Sequence, residues 1–279
     1  MRKEKIRETD YSETERPLTR REQLLDVLKH RFLEIIKLSL LQTVFNMPLF
    51  VSVILFWTAL RNASNINQIM TIFLVQGGLF LIALPSSYVG LTGTFYCLKK
   101  ILFAEGEYAS SSFFIGLREE WKKGLFIGLI TGLSAAIGII GFFFSYFYLT
   151  NINTTIAGLG IAIMVIQFIV VSILSYYSIA QVVMYENELK YILKNSFIFT
   201  LMRFPINLLF VIIHPGIFIA LIAIMEITMF VGVGLEVFFV VFGHLLWSLN
   251  ALFTFDKYIN KENHPDYYRK GLRNINEEA

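Results

Sequence analysis

In the stretch FVGVGLEVFFVVFGHLLW, residues 230–247, a carboxylate and an imidazole interrupt an otherwise apolar run. A carboxylate held in hydrocarbon must be protonated, paired or open to water, and each of these states can serve a proton or cation path. His244 follows Glu236 by eight residues, about 12 Å along a helix and about 80° around it. The two side chains therefore share part of a face without touching. His214, beside Pro215, is the other histidine of the apolar blocks. Asn46, Gln76 and Gln167 add neutral hydrogen-bonding groups, each set singly in an apolar run. With Glu236, His244 and His214 they are candidates for a polar pocket that admits a substrate. The alternative role for such amides, shared by Gln181 and Asn250, is interhelical hydrogen bonding worth about 0.6–2 kcal/mol each. Two histidines and one carboxylate, scattered in sequence, are too few for a zinc site with its four ligands. No metal and no other cofactor is expected.

These residues must be positioned by membrane helices. Of the 279 residues, 56% are hydrophobic and 16% are charged. The apolar residues fall in blocks of about 20 or more, long enough to cross hydrocarbon as helices whose backbone groups pair internally. We expect an all-α, polytopic integral membrane protein with about six transmembrane helices, near 38–60, 69–98, 124–149, 156–184, 205–226 and 229–254. Residues 1–37 and 255–279 are then tails on either side of a membrane domain, 38–254. The single cysteine, Cys97, rules out an internal disulfide and reads as a packing residue.

Charge placement sets an orientation. Of the 24 lysines and arginines, 23 fall in 1–37, 99–123, 185–204 and 255–279, and only Arg61 lies elsewhere. Under the positive-inside rule both termini and the two longer links are cytoplasmic. Nineteen of the 21 acids sit in the same segments, the exceptions being Glu226 and Glu236. Glu226, at the end of the fifth block, reads as an interfacial residue.

Each odd-numbered span is preceded by an amphipathic segment: REQLLDVLKHRFLEIIK, SSSFFIGLREEWKK and LKYILKNSFIFTLMRF. In the second, Phe114, Leu117 and Trp121 recur at helical spacing among basic residues, as suits a helix lying at the headgroups. The chain thus reads three times as amphipathic segment plus hairpin. Gly124, Gly128 and Gly132 form a four-residue ladder that permits close helix packing. Pro48, Pro85 and Pro215 can each kink a span, whereas Pro205 stands near a helix start.

The stretch LPSSYVGLTGTFYCLKKILFAEGEYASSSFFIGLREEW carries a family pattern. Its marks are Pro85, Gly90, Gly93 and Phe95, the basic pair Lys99–Lys100, the triplet Glu105–Gly106–Glu107, then Phe113 and Trp121. In these marks, and in the tail FTFDKYINKENHPDYYRKGL, the chain resembles the YesL family of bacterial membrane proteins. The resemblance implies association with bacterial carbohydrate uptake through binding-protein-dependent ABC importers. It supplies no catalytic or substrate-binding residues.

The expected role is an accessory or regulatory membrane subunit associated with such an importer, acting by helix packing against the permease in the bacterial cytoplasmic membrane. Its partners would be the permease subunits, with their ATPase a second candidate, and membrane lipids; carbohydrate would be met only indirectly. Lys99, Lys100, Glu105, Gly106, Glu107, Phe114 and Trp121 would form part of the cytoplasmic surface. The alternative is an independent transporter or channel with a polar route near Glu236. No phosphate loop, HExxH or serine elbow occurs, so enzymatic activity is not expected. The basic residues are mixed with nearly as many acids, which argues against nucleic acid as a partner.

Overall fold

The computed structural model describes residues 16–105, 108–213 and 228–273, without the side chains of 228–233 and 235–239. Helix α1 (Arg20–His30) starts at Thr19, whose hydroxyl accepts from the Glu22 amide. Its last turn leads through Arg31 into α2 (Phe32–Arg61). A short turn follows, and Asn65 caps α3 (Ile66–Leu102). The Asn65 Oδ1 accepts from the Gln68 amide at 2.9 Å, while Gln68 Oε1 accepts from the Ser64 amide at 2.8 Å. This two-way exchange fixes where the helix begins.

Helix α4 (Ala109–Phe143) continues through a π turn, Phe144–Leu149, as far as Ile152. Only Asn153 separates it from α5 (Thr154–Met184). Asn153 is extended and its Oδ1 accepts from the amides of Thr155 and Ile156. The link expected at 150–155 therefore shrinks to one residue, because a single asparagine both ends one helix and caps the next. Helices α6 (Leu189–Met202), α7 (Phe204–Val211) and α8 (Thr228–Phe255) complete the bundle.

Four of the described helices are long and apolar enough to cross a membrane: Phe32–Arg61, Ile66–Leu102, Ala109–Ile152 and Thr154–Met184. Helix α8 covers the last expected span. The fifth, 205–226, is helical over Phe204–Val211, and 214–226, with His214, Pro215 and Glu226, lies outside the described residues.

The faces of α2 show how the bundle is sorted. Leu40, Val44, Met47, Val51 and Leu55 are exposed, whereas Ser39, Gln42, Thr43, Asn46 and Ser52 are buried. The more polar face points inward, an arrangement suited to lipid, which solvates leucine as well as another helix does. The fold is an all-α, multi-pass membrane-associated bundle.

The amphipathic segments do not behave alike. The first and third are broken at arginines that leave the helical conformation in nearly the same way, Arg31 within the first at φ −124°, ψ 15° and Arg203 near the end of the third at φ −119°, ψ 24°. The second does not form a separate surface helix: it runs unbroken into α4. The reason is its packing, which continues along α3 from Phe113 through Gly132. A Cβ at Gly124 would meet Thr92 Cγ2 at 2.5 Å, one at Gly128 would meet Pro85 Cα at 2.5 Å, and one at Gly132 would meet Phe80 O at 2.7 Å. The ladder is therefore an internal seam of α4 on α3, close enough that any side chain would force the backbones apart.

This seam yields a paired prediction. Gly128→Ala is expected to lower the melting temperature of the detergent-solubilised protein, at an overpacking cost of about 1–3 kcal/mol. Gly138→Ala, on the same helix, places its Cβ in open space with nothing within 4 Å and leaves the melting temperature nearly unchanged. Equal melting temperatures for the two variants would show that the seam is not this tight.

Candidate functional site

Helices α2, α3, α4, α5 and α8 enclose a cavity of about 650 Å³ whose lining is mostly apolar. Asn46, Gln167 and His244, three of the six residues expected at a polar pocket, line it together. They come from three helices, and Asn46 and Gln167 are each held by hydrogen bonds to a neighbouring helix. Asn46 Oδ1 accepts from Gln42 Nε2 at 3.0 Å and from Ser87 Oγ at 2.6 Å, tying α2 to α3. Thr94 Oγ1 donates to Gln42 Oε1 at 2.8 Å and extends the network along α3. Gln167 Nε2 donates to Ser134 O at 2.9 Å and to Ser134 Oγ at 2.8 Å, tying α5 to α4. His244 is buried on α8, its ring 6.0 Å from that of Phe95 and 5.7 Å from that of Tyr176.

The remaining pocket candidates are not gathered there. Gln76 is buried elsewhere between α3 and α2, with Nε2 3.4 Å from Ser52 Oγ. Glu236 stands on α8 one turn before the cavity-lining Val240, and its side chain lies outside the described ones. His214 lies outside the described residues altogether. Among the described residues no group of three His, Cys, Asp or Glu side chains is placed to hold a metal ion.

A second polar network joins α5, α7 and α8. Tyr177 Oη donates to Asn207 Oδ1 at 2.9 Å, and Asn250 Nδ2 donates to the same oxygen at 3.1 Å. Arg203 Nη1 donates to Thr254 Oγ1 at 2.6 Å, and its guanidinium sits 4.8 Å above the Phe253 ring. Sequence reasoning found only Asn250 here. The spacing of Asn250 and Thr254, one turn apart, was the available sign that they share a face. Asn207 and Tyr177 carried no such pattern.

The end of the bundle that bears both described chain ends is braced by charge. Arg20 Nη2 pairs with Asp256 Oδ2 at 2.8 Å, with both side chains largely buried. Burial pulls the Arg20 guanidinium below its ordinary value, while Asp256 acts in the opposite direction. Asn260 Nδ2 donates to Asp256 Oδ1 at 2.8 Å, and Tyr185 Oη donates to Asn260 Oδ1 at 2.5 Å. Burial pushes the Tyr185 phenol up, with Asp256 adding to the effect. Gln23 Nε2 donates to Leu102 O at 2.6 Å, and Lys99 Nζ donates to Val183 O at 2.9 Å. Gly271, at φ 81°, brings the C-terminal segment onto the end of α3, where a Cβ would collide with the Leu102 carbonyl.

Glu105 closes the brace between Lys100, at 2.8 Å, and Lys270, at 2.6 Å. The described parts of the four basic segments thus meet at one end. Gly106 and Glu107 lie outside the described residues, and Phe114 and Trp121 project from α4 with their rings exposed.

The arrangement defines a multi-pass membrane helical bundle with an internal cavity and a charge-braced end. The chain matches no family model, no curated protein and no solved structure.

The brace makes a pH prediction. Burial would raise the Glu105 carboxyl, but hydrogen bonds and charge from Lys100 and Lys270 outweigh it and hold the group below its ordinary value. A carboxylate with a depressed folded-state value contributes stability above its unfolded value, about 4.3, and loses it as pH falls through the folded one. Glu105→Gln removes that contribution. The gap in melting temperature between wild type and E105Q should be open at pH 7 and narrow as pH falls from about 4.3 toward 3. A gap that stays constant over this range would exclude an ionic brace.

Proposed function

We propose that the chain is a non-catalytic partner subunit of a bacterial carbohydrate ABC importer. In this reading it is a six-span protein of the cytoplasmic membrane with both ends in the cytoplasm. The observation that carries the reading is the braced end of the bundle. Segments far apart in sequence are locked there into one basic and aromatic surface by Arg20–Asp256 and by Glu105 with its two lysines. A rigid surface built from chain ends and links suits the docking of a protein partner, since little ordering cost remains to be met on binding. On α4, Phe114 and Trp121 are exposed, with Lys122 Nζ 5.8 Å from the centre of the Trp121 ring.

The positive-inside rule makes that surface cytoplasmic, and the resemblance to the YesL family supplies the importer as the partner. The described amides within the spans favour the same reading, because Gln42 and Asn46 bond to Ser87 of α3 and Gln167 bonds to Ser134 of α4. The cavity beside His244 favours a second reading, an independent transporter or channel whose polar route includes Glu236.

Assembly separates the two. Tagged protein extracted in mild detergent is expected to carry two permeases and an ATPase of one importer, identified by mass spectrometry. A well-solubilised sample without any importer component would end the partner reading. Sugar or ion flux through liposomes holding the purified chain alone would establish the transporter in its place.

A further inference from the structure

The cavity has chemistry that the partner reading does not use. It lies at mid-depth: Asn46 follows Lys37, the last basic residue before the span, by nine residues, about 13 Å along α2, and Arg61 stands fifteen residues further on. Its volume of about 650 Å³ falls in the range of sites that hold one small molecule. Its lining includes Phe142 of α4 and Val165 and Phe168 of α5, all of them exposed, so its wall reaches the outer face of the bundle.

No Asp, Glu, Lys or Arg is found among the described lining residues. A phosphate or carboxylate would therefore sit there without a counter-ion, at high cost in a medium of low dielectric. Neutral hydrogen-bonding groups are present instead. The Oδ1 of Asn46 is taken by Gln42 and Ser87, which leaves its amide N–H groups as donors. The Nε2 of Gln167 is taken by Ser134, which leaves its Oε1 as an acceptor. One donor and one acceptor, in a mostly apolar chamber whose lining also holds His244 and a few hydroxyls, match a hydroxyl, ester or amide head on a hydrocarbon chain.

We propose that this cavity is a binding site for an uncharged, single-chain amphiphile that enters sideways from the bilayer. The hydrocarbon chain lies against the phenylalanine, leucine and valine lining, and the head bonds to Asn46 and Gln167. Gly138 marks the wall at which the ligand can be displaced. It lines the cavity, and a Cβ there meets nothing within 4 Å, so a large side chain at this position fills the chamber without disturbing the α3–α4 seam.

The test uses the full chain in nanodiscs of phosphatidylethanolamine and phosphatidylglycerol, with a diazirine-bearing monoacylglycerol as probe. Photo-labelling is expected to concentrate on peptides containing 131–142 and 164–176. It should be competed by unlabelled monoacylglycerol and fall about tenfold in Gly138→Phe, the change that about 1.4 kcal/mol of lost affinity produces. If Gly138→Phe fails to fold, Gln167→Met carries the test, with a fall of the same order expected from loss of the head's partner.

Four results would overturn the proposal. One is labelling spread evenly over the exposed α2 face and insensitive to both variants. Another is equal labelling by a diazirine fatty acid at pH 8 or by a diazirine phosphatidylglycerol. The third is labelling by a long-chain alkylammonium probe that is lost in Glu236→Gln, which would assign a cationic ligand. The last is cross-linking of a photoreactive side chain at position 138 to residues 214–227 of the same chain, which would show the cavity filled from within.

Discussion

Helix α4 can lie against α3 only because Gly124, Gly128 and Gly132 present no side chain at the contact, and much of the bundle is arranged around that approach. In lipid there is little hydrophobic gain from bringing two apolar helices together, so association depends on how closely they fit and on hydrogen bonds between them. The ladder supplies the fit. It places backbone against backbone at Pro85 and Phe80, and it keeps the second amphipathic segment on the axis of α4 instead of letting it fold onto the surface. The bends at Arg31 and Arg203 occur in segments that lack such a ladder.

Hydrogen bonds supply the rest. Gln42, Asn46, Ser87 and Thr94 join α2 to α3, Gln167 and Ser134 join α5 to α4, and Tyr177, Asn207 and Asn250 join α5, α7 and α8. Each is a neutral group whose burial is tolerable because a partner is near. At the braced end the same task falls to charged groups. Arg20 and Asp256 can be buried there because each neutralises the other, and Asn260 and Tyr185 continue the chain of contacts. The contrast between neutral bonding within the spans and ionic bonding at the end follows from the cost of an unpaired charge in hydrocarbon.

The cavity is what remains where these constraints are met incompletely. Helices α2 and α8 on one side and α4 and α5 on the other are tied to α3 or to each other, and the space between them near His244 is not closed by side chains of the described residues. Its lining shows why polar residues read singly in a sequence are ambiguous. Asn46 and Gln167 serve as interhelical ties and also line the open space, since an amide has two ends and each tie engages only one of them. Gln76, with the same chemistry, is buried in a contact with Ser52 away from the cavity.

The membrane class, four of the long helices and the presence of α8 were legible in the sequence, because a bilayer demands unbroken apolar runs whose length is readable residue by residue. The glycine ladder was legible as a close contact for the same local reason, since three small residues at four-residue spacing line one face. Which helix it touches was not legible, because that depends on α3 presenting Pro85 and Phe80 at matching heights. Nor could spacing reveal that Asn46, Gln167 and His244 share one chamber, or that Arg20 meets Asp256 across most of the chain. The sequence by itself determined what must be buried in lipid and which residues could not be left unpaired there. Only the tertiary structure decided the partners, because hydrogen bonds and ion pairs act over about 3 Å, a distance that sequence separation does not encode.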